Sequence, residues 1–119
     1  MSISPLQICL DRHHRQAVLS FKLDDELGIL HGMSWEDFVL LNALDTAGGA
    51  LSTADLAQKL SVPRSRLLLQ LIPLEKIGLI VRGLGADGVR RISLRPNGQG
   101  KMHEARETAA RLCEEFLVN

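Results

Sequence analysis

The sequence predicts a mainly α-helical fold that carries one small β-hairpin. Three observations predict it. Apolar residues recur at helical intervals of three and four along most of the chain. Tyrosine is absent and aromatics make up only 3%, so the core must be aliphatic. Residues 79–94 instead read as two short strands around an Asp-Gly pair. At 119 residues, with 45% hydrophobic and 24% charged residues, a single folded domain over 1–119 is expected.

A first helix is predicted over about residues 4–27, with Leu6, Leu10, Ala17, Phe21 and Leu27 at helical spacing; Gly28 and His31-Gly32 interrupt it. Ser34 caps a second helix, and Glu36 and Asp37 stand in its first turn, where acids complement the helix dipole. Phe38, Leu40, Leu41 and Leu44 line that helix as far as Gly48-Gly49, after which Ala50 and Leu51 read as a short extended piece. Residues 52–55 repeat the start signal for a short third helix, with Leu56, Ala57 and Leu60 on its apolar side.

The fourth helix begins near Pro63, tolerated there because the first helical N–H groups have no intrahelical acceptor to lose. Leu67, Leu71 and Leu74 share one side and face the core, and Gly78 ends the helix. Pro73 removes the bond to residue 69, so a kink or an end is expected there. Residues 79–82 and 89–94 form the strands, joined over Asp87-Gly88, a pair that tolerates positive φ. Asn97 caps a last helix over about 97–117, along which Met102, Ala105, Ala109, Leu112 and Phe116 form a heptad-type seam.

Net charge is zero, but its distribution is uneven. Residues 57–95 hold eight cations against two acids, a net of +6, and the remainder carries −6. One cationic segment is thus able to meet an anionic polymer, held by acidic elements that stay away from it. No apolar stretch reads as a signal peptide or a membrane span, and Cys9 and Cys113 lack the spacing of a zinc site or disulfide framework. A cytoplasmic protein without membrane contact is expected. No phosphate loop, nucleophile elbow or H-E-x-x-H occurs, and Gly83-x-Gly85-x-x-Gly88 lies in a hairpin turn, so the chain reads as a non-enzyme without cofactor or metal.

Two helices, a short pair separated by a turn, an arginine-rich hairpin and a closing helix make the order of a winged helix-turn-helix. Within it, Leu56-Ala57-Gln58-Lys59-Leu60-Ser61-Val62-Pro63-Arg64-Ser65-Arg66 resembles the "LA-x-x-L-G-V-S-R-S-T" stretch of the MarR family. Leu74-Glu75-Lys76-Ile77-Gly78-Leu79-Ile80-Val81-Arg82 is similar to that family's "L-E-x-x-G-L-V-x-R", and Arg90 to Leu94 to the return strand of its wing. The resemblance covers roughly residues 20–105 and leaves no gap between the first two blocks.

The resemblance implies a transcriptional regulator, a repressor, that binds double-stranded DNA as a homodimer. Its DNA-reading region would be about 52–95. Arg64, Ser65 and Arg66 would begin the recognition helix, where guanidinium and hydroxyl groups meet base edges and phosphates. Arg90 and Arg91 would stand on the wing, one reaching DNA while its neighbour turns back to an acid such as Asp87. Leu6 and Leu10 on the first helix, and Met102, Ala105, Ala109, Leu112 and Phe116 on the last, would join the two subunits. Small phenolic or lipophilic effectors bind many members of the family, which adds such an effector as a further partner.

This chain departs from the family pattern at Leu68, Leu69 and Ile72, where polar or acidic residues are usual. Ser65, Leu69 and Ile72 lie opposite the core stripe, on the expected groove-facing surface. Three readings stay open: they touch thymine methyls, they dock a protein partner in place of DNA, or they pack on an unplaced extension. Cys9 resembles the reactive cysteine of peroxide-sensing relatives, which would make the chain a redox sensor. The tyrosines those relatives use are absent, so Cys9 and Cys113 read as core-filling. His13 and His14 point about 100° apart with no acid-rich ligand set and read as a solvated or interfacial pair.

Overall fold

The computed structural model describes residues 2–118. Among them run α1 (Pro5–His31), α2 (Trp35–Thr46), β1 (Ala50–Ser52), α3 (Thr53–Leu60), α4 (Arg64–Lys76), β2 (Ile80–Leu84), β3 (Arg90–Leu94) and α5 (Pro96–Val118). The fold is a mainly helical winged helix-turn-helix, as the sequence predicts. The extended piece at 50–52 completes an antiparallel sheet of order β1-β3-β2, in which Leu51 faces Ile92 and Arg82 faces Ile92 from the other side.

Several element boundaries differ from the sequence reading, each for a physical reason. α1 continues through Gly28 to His31 and stops at Gly32, whose φ of 63° begins the left-handed cap. A single glycine lowers helix propensity without ending a helix that packing holds. α4 likewise runs past Pro73 to Lys76. Pro73 lies on the exposed side, so the Leu69 carbonyl it leaves unbonded can turn to water. In the hairpin turn only Gly88 takes positive φ. Asp87 instead accepts a hydrogen bond from the Val89 N–H at 3.1 Å.

The chain divides into two compact units. One comprises residues up to Trp35 together with those from Ala105 onward. Its buried side chains are Leu19, Leu23 and Leu27 on α1, then Met33, then Ala105, Ala109 and Leu112 on α5. Arg111 donates to Glu26 at 2.6 Å, His31 bonds Thr108 at 2.8 Å, and the Lys22 ammonium lies 5.9 Å from the Phe116 ring centre. Residues 2–18, by contrast, are exposed throughout.

The other unit, Glu36–Glu104, holds α2, α3, α4 and the sheet. Phe38, Leu40, Leu41, Leu44, Leu56, Leu67, Leu71, Leu74, Ile80, Ile92 and Met102 are buried there, an aliphatic core as composition requires. Ser52 caps α3 by accepting from the Asp55 N–H at 3.1 Å. The turn to α4 then passes through Ser61, the one non-glycine residue with positive φ among those described, at 55°.

The seam expected on α5 needs correction. Met102, Ala105, Ala109 and Leu112 are all buried within the single chain, so they have no surface left to offer a second copy. A stripe at heptad spacing marks a face that must be covered, and does not say which chain covers it. Phe116 is half-buried, whereas Leu6 and Leu10 are exposed at 69% and 42%.

Two substitutions in the second unit should move stability in opposite directions. A Cβ on Gly98 would stand well inside van der Waals contact distance of the Leu79 carbonyl oxygen, which already accepts from the Arg95 N–H at 3.0 Å. Gly98→Ala is therefore expected to destabilise by about 1–3 kcal/mol. Ser61→Gly relieves the left-handed backbone and should stabilise by about 1 kcal/mol, raising Tm by about 4 °C. Thermal and urea unfolding followed by circular dichroism checks both signs.

Candidate nucleic-acid interface

The geometry of the site starts with the rotation of α4. Burial of Leu67, Leu71 and Leu74 turns that stripe inward, so at about 100° per residue Arg64 and Leu68 fall on the side toward the hairpin. Ser65, Leu69 and Ile72 fall opposite the core. Both leucine positions and Ile72 are exposed, Leu69 to 71% and Ile72 to 50%.

Between α4 and the hairpin lies a groove of about 750 Å³, lined by Arg64, Leu68 and Glu75 from the helix, by Arg82, Leu84, Val89, Arg90 and Arg91 from the hairpin, and by Ser52 and Thr53 at the head of α3. The structure thus brings Arg64, Arg90 and Arg91 to one surface. It does not bring Arg66 there: its guanidinium sits 3.7 Å from the Glu36 carboxylate on α2, both groups about two-thirds exposed. An exposed pair of that length contributes little and leaves Arg66 able to swing.

Two carboxylates fix the groove's hairpin wall. Glu75 near the end of α4 accepts from the Arg82 N–H at 3.2 Å and from the Arg82 guanidinium at 3.0 Å, joining helix to strand. Asp87 in the turn accepts from the Val89 N–H and, at 3.0 Å, from Arg91. Arg91 is therefore the arginine that turns back, a choice between the two that the sequence leaves open, and no acid pairs with Arg64 or Arg90 among the described residues. The Glu75–Arg82 tether, and Ser52, Thr53, Leu84 and Val89 as lining, went unassigned by sequence reasoning. Glu75 and Arg82 stand within the L-E-x-x-G-L block, a signal that they bridge the helix end.

The cysteines and histidines form no centre. Cys9 is exposed, not core-filling, because the first turns of α1 bury nothing; Cys113 is half-buried. The His13 and His14 rings stand edge to face at 5.7 Å, and no group of three metal-ligating side chains occurs among the described residues. No helix there is long and apolar enough to cross a membrane.

Comparison of the sequence with protein-family models and with curated proteins gives no match. Solved structures do match. AbsC, a MarR-family transcriptional regulator from Streptomyces coelicolor, superposes with TM-score 0.84 at 20% identity over 99% of this chain and 82% of its own. Sco3205, a MarR-family regulator from the same organism in complex with DNA, gives 0.85 at 20% identity over 99% and 77%. The organohalide-sensing regulator RdhR-CbdbA1625 with bound 2,4-dichlorophenol gives 0.83 at 19% identity over 100% and 75%. At such identities the likeness establishes the fold: this chain has the winged helix architecture of MarR-family regulators.

The tethers should be acid-sensitive. Hydrogen bonding from the Arg82 side chain holds the Glu75 carboxyl below its ordinary value, and the Val89 N–H, followed by Arg91, does the same for Asp87. A lowered carboxyl pKa stabilises the folded hairpin above the ordinary values of 4.5 and 3.8, and that contribution is lost as pH falls through the folded-state values. Amide exchange at Arg82 and Val89, corrected for intrinsic rates, is expected to accelerate on acidification. Glu75→Ala should remove the pH step at Arg82 while leaving that at Val89. A flat profile at Arg82 in the parent protein rules out the tether.

Proposed function

We propose that the protein is a cytoplasmic, sequence-specific DNA-binding transcriptional regulator that acts as a homodimeric repressor. The observation that carries this reading is the convergence of Arg64, Arg90 and Arg91 on one groove beside the exposed face of α4. Inserted into a major groove, α4 would present its first turn to base edges while the hairpin lies along the flanking backbone. Arg64 has a planar fork suited to guanine or phosphate, and Arg90 is the unpaired cation of the wing. Phosphate contacts supply most of the affinity in such an interface, with Lys59, Lys76 and Arg95 adding to the local positive field.

The DNA complex of Sco3205 supports the polymer assigned here, and the dichlorophenol complex of RdhR-CbdbA1625 supports a small lipophilic effector as a second partner. For the dimer, the exposed half of α1 replaces the α5 stripe as the principal surface. Leu6, Ile8, Leu10 and Val18 are exposed there, Ile3 just ahead of the helix, and Leu117 and Val118 at the end of α5. A second copy covering them would set two reading helices about a twofold axis and so select a palindromic site.

A salt titration of the protein against DNA from upstream of its own gene tests the reading. With about six phosphate contacts per dimer, affinity should fall about 10³-fold between about 50 and 200 mM salt. Arg90→Ala should flatten the slope by about 1–2, whereas Arg64→Ala should weaken the specific site more than random duplex. Binding that is absent, or indifferent to salt, rejects DNA as the partner.

The assembly is tested separately by sedimentation velocity. The parent protein is expected to run at twice the mass of one chain, and Leu6→Glu with Leu10→Glu at the mass of one chain with its helical signal largely retained. A parent protein that sediments as a single chain at micromolar concentration overturns the homodimer.

A further inference from the structure

The outer face of α4 carries chemistry that narrows which DNA it would read, an inference that rests on the DNA reading above. After Ser65 in the first turn, the residues opposite the core are Leu69 and Ile72, until Lys76 closes that face in the last turn. Neither the leucine nor the isoleucine side chain has a donor or an acceptor. Pressed against a guanine O6, an adenine N6 or a cytosine N4, each would strip water from a polar base edge and return no hydrogen bond. The thymine C5-methyl is the one apolar group that the major groove displays. Leu69 and Ile72 stand about 4.5 Å apart along the helix axis. That is slightly more than one base step of about 3.4 Å, so they meet adjacent or next-adjacent base pairs.

Charge favours nucleic acid over an apolar protein surface as the occupant. Arg64 lies at the start of the same helix and Lys76 at its end, neither paired with an acid among the described residues, and Arg90 lines the groove opposite Arg64 from the hairpin. An apolar centre bracketed by unneutralised cations matches a groove floor of methyls between two phosphate walls.

We propose that Leu69 and Ile72 recognise thymine 5-methyl groups, so that each preferred half-site carries thymine on at least two neighbouring or next-neighbouring base pairs beneath α4. Recognition there is by apolar contact, with hydrogen-bonded readout confined to the first turn.

The test uses the full-length protein and a random-sequence duplex library. Sites enriched on the parent protein are re-amplified with deoxyuridine in place of thymidine, which deletes the methyl and keeps the pairing. The parent protein is expected to bind the uridine pool about fourfold more weakly for each methyl lost from the contact. The Leu69→Ala, Ile72→Ala double variant, altered only at exposed side chains, should bind both pools alike. Equal binding of the two pools by the parent protein overturns the proposal, and so does full discrimination by the variant. If no pool enriches and no duplex binds in a salt-dependent way, the DNA reading itself has failed, and the apolar face is a protein-docking surface.

Discussion

Burial of Leu67, Leu71 and Leu74 fixes the rotation of α4 about its own axis, and the rest of the site depends on that constraint. A helix has one rotational degree of freedom against a core, and three leucines on one stripe remove it. Once they point inward, Arg64 and Leu68 must line the groove and Leu69 must face away from the protein. A shift of one residue in the apolar pattern would rotate the helix by about 100° and carry Arg64 out of the groove. Core packing here is thus the device that aims the polar and charged groups.

Electrostatics divides labour among the arginines that composition treats alike. Arg82 and Arg91 are held by Glu75 and Asp87 and shape the hairpin, while Arg64 and Arg90 pair with no acid among the described residues. The tethering pairs are exposed, so their contribution lies in geometry more than in stability. Joining the end of α4 to β2 limits how far the wing can swing away from the helix. A groove whose walls move together presents its cations at fixed spacing, which is what a regular polyanion rewards.

Much of this was legible in the sequence because the signals were local. Ser52, the leucine stripe of α4 and the Asp87-Gly88 turn each act within a few residues, and strand alternation predicts that one of Arg90 and Arg91 turns back to an acid without saying which. The errors arose where a local rule met a tertiary one. Gly28 and Pro73 are helix breakers by propensity, yet both sit in helices that buried leucines on the same element hold in place. The stripe from Met102 to Leu112 was visible as apolar, but periodicity carries no information on whether its cover comes from within the chain. Cys9 differs for the converse reason, since residues that look like core on a periodic helix remain outside when nothing in the chain packs against them.

That last point bears on assembly. Most helical stability in proteins comes from packing of an apolar face, and the half of α1 before Leu19 buries no side chain in its own chain. Its apolar residues, Leu6, Ile8, Leu10 and Val18, are therefore a cost to a lone subunit and a gain to a pair. On the proposed homodimer, helix formation in this arm and capture of a second copy would become one equilibrium, in which protomer concentration acts as a ligand. Two reading heads would then be set at a common spacing only when the arms are ordered. On the proposed function, the terminal arm governs DNA recognition from outside the reading head, by deciding whether one head or two address the duplex.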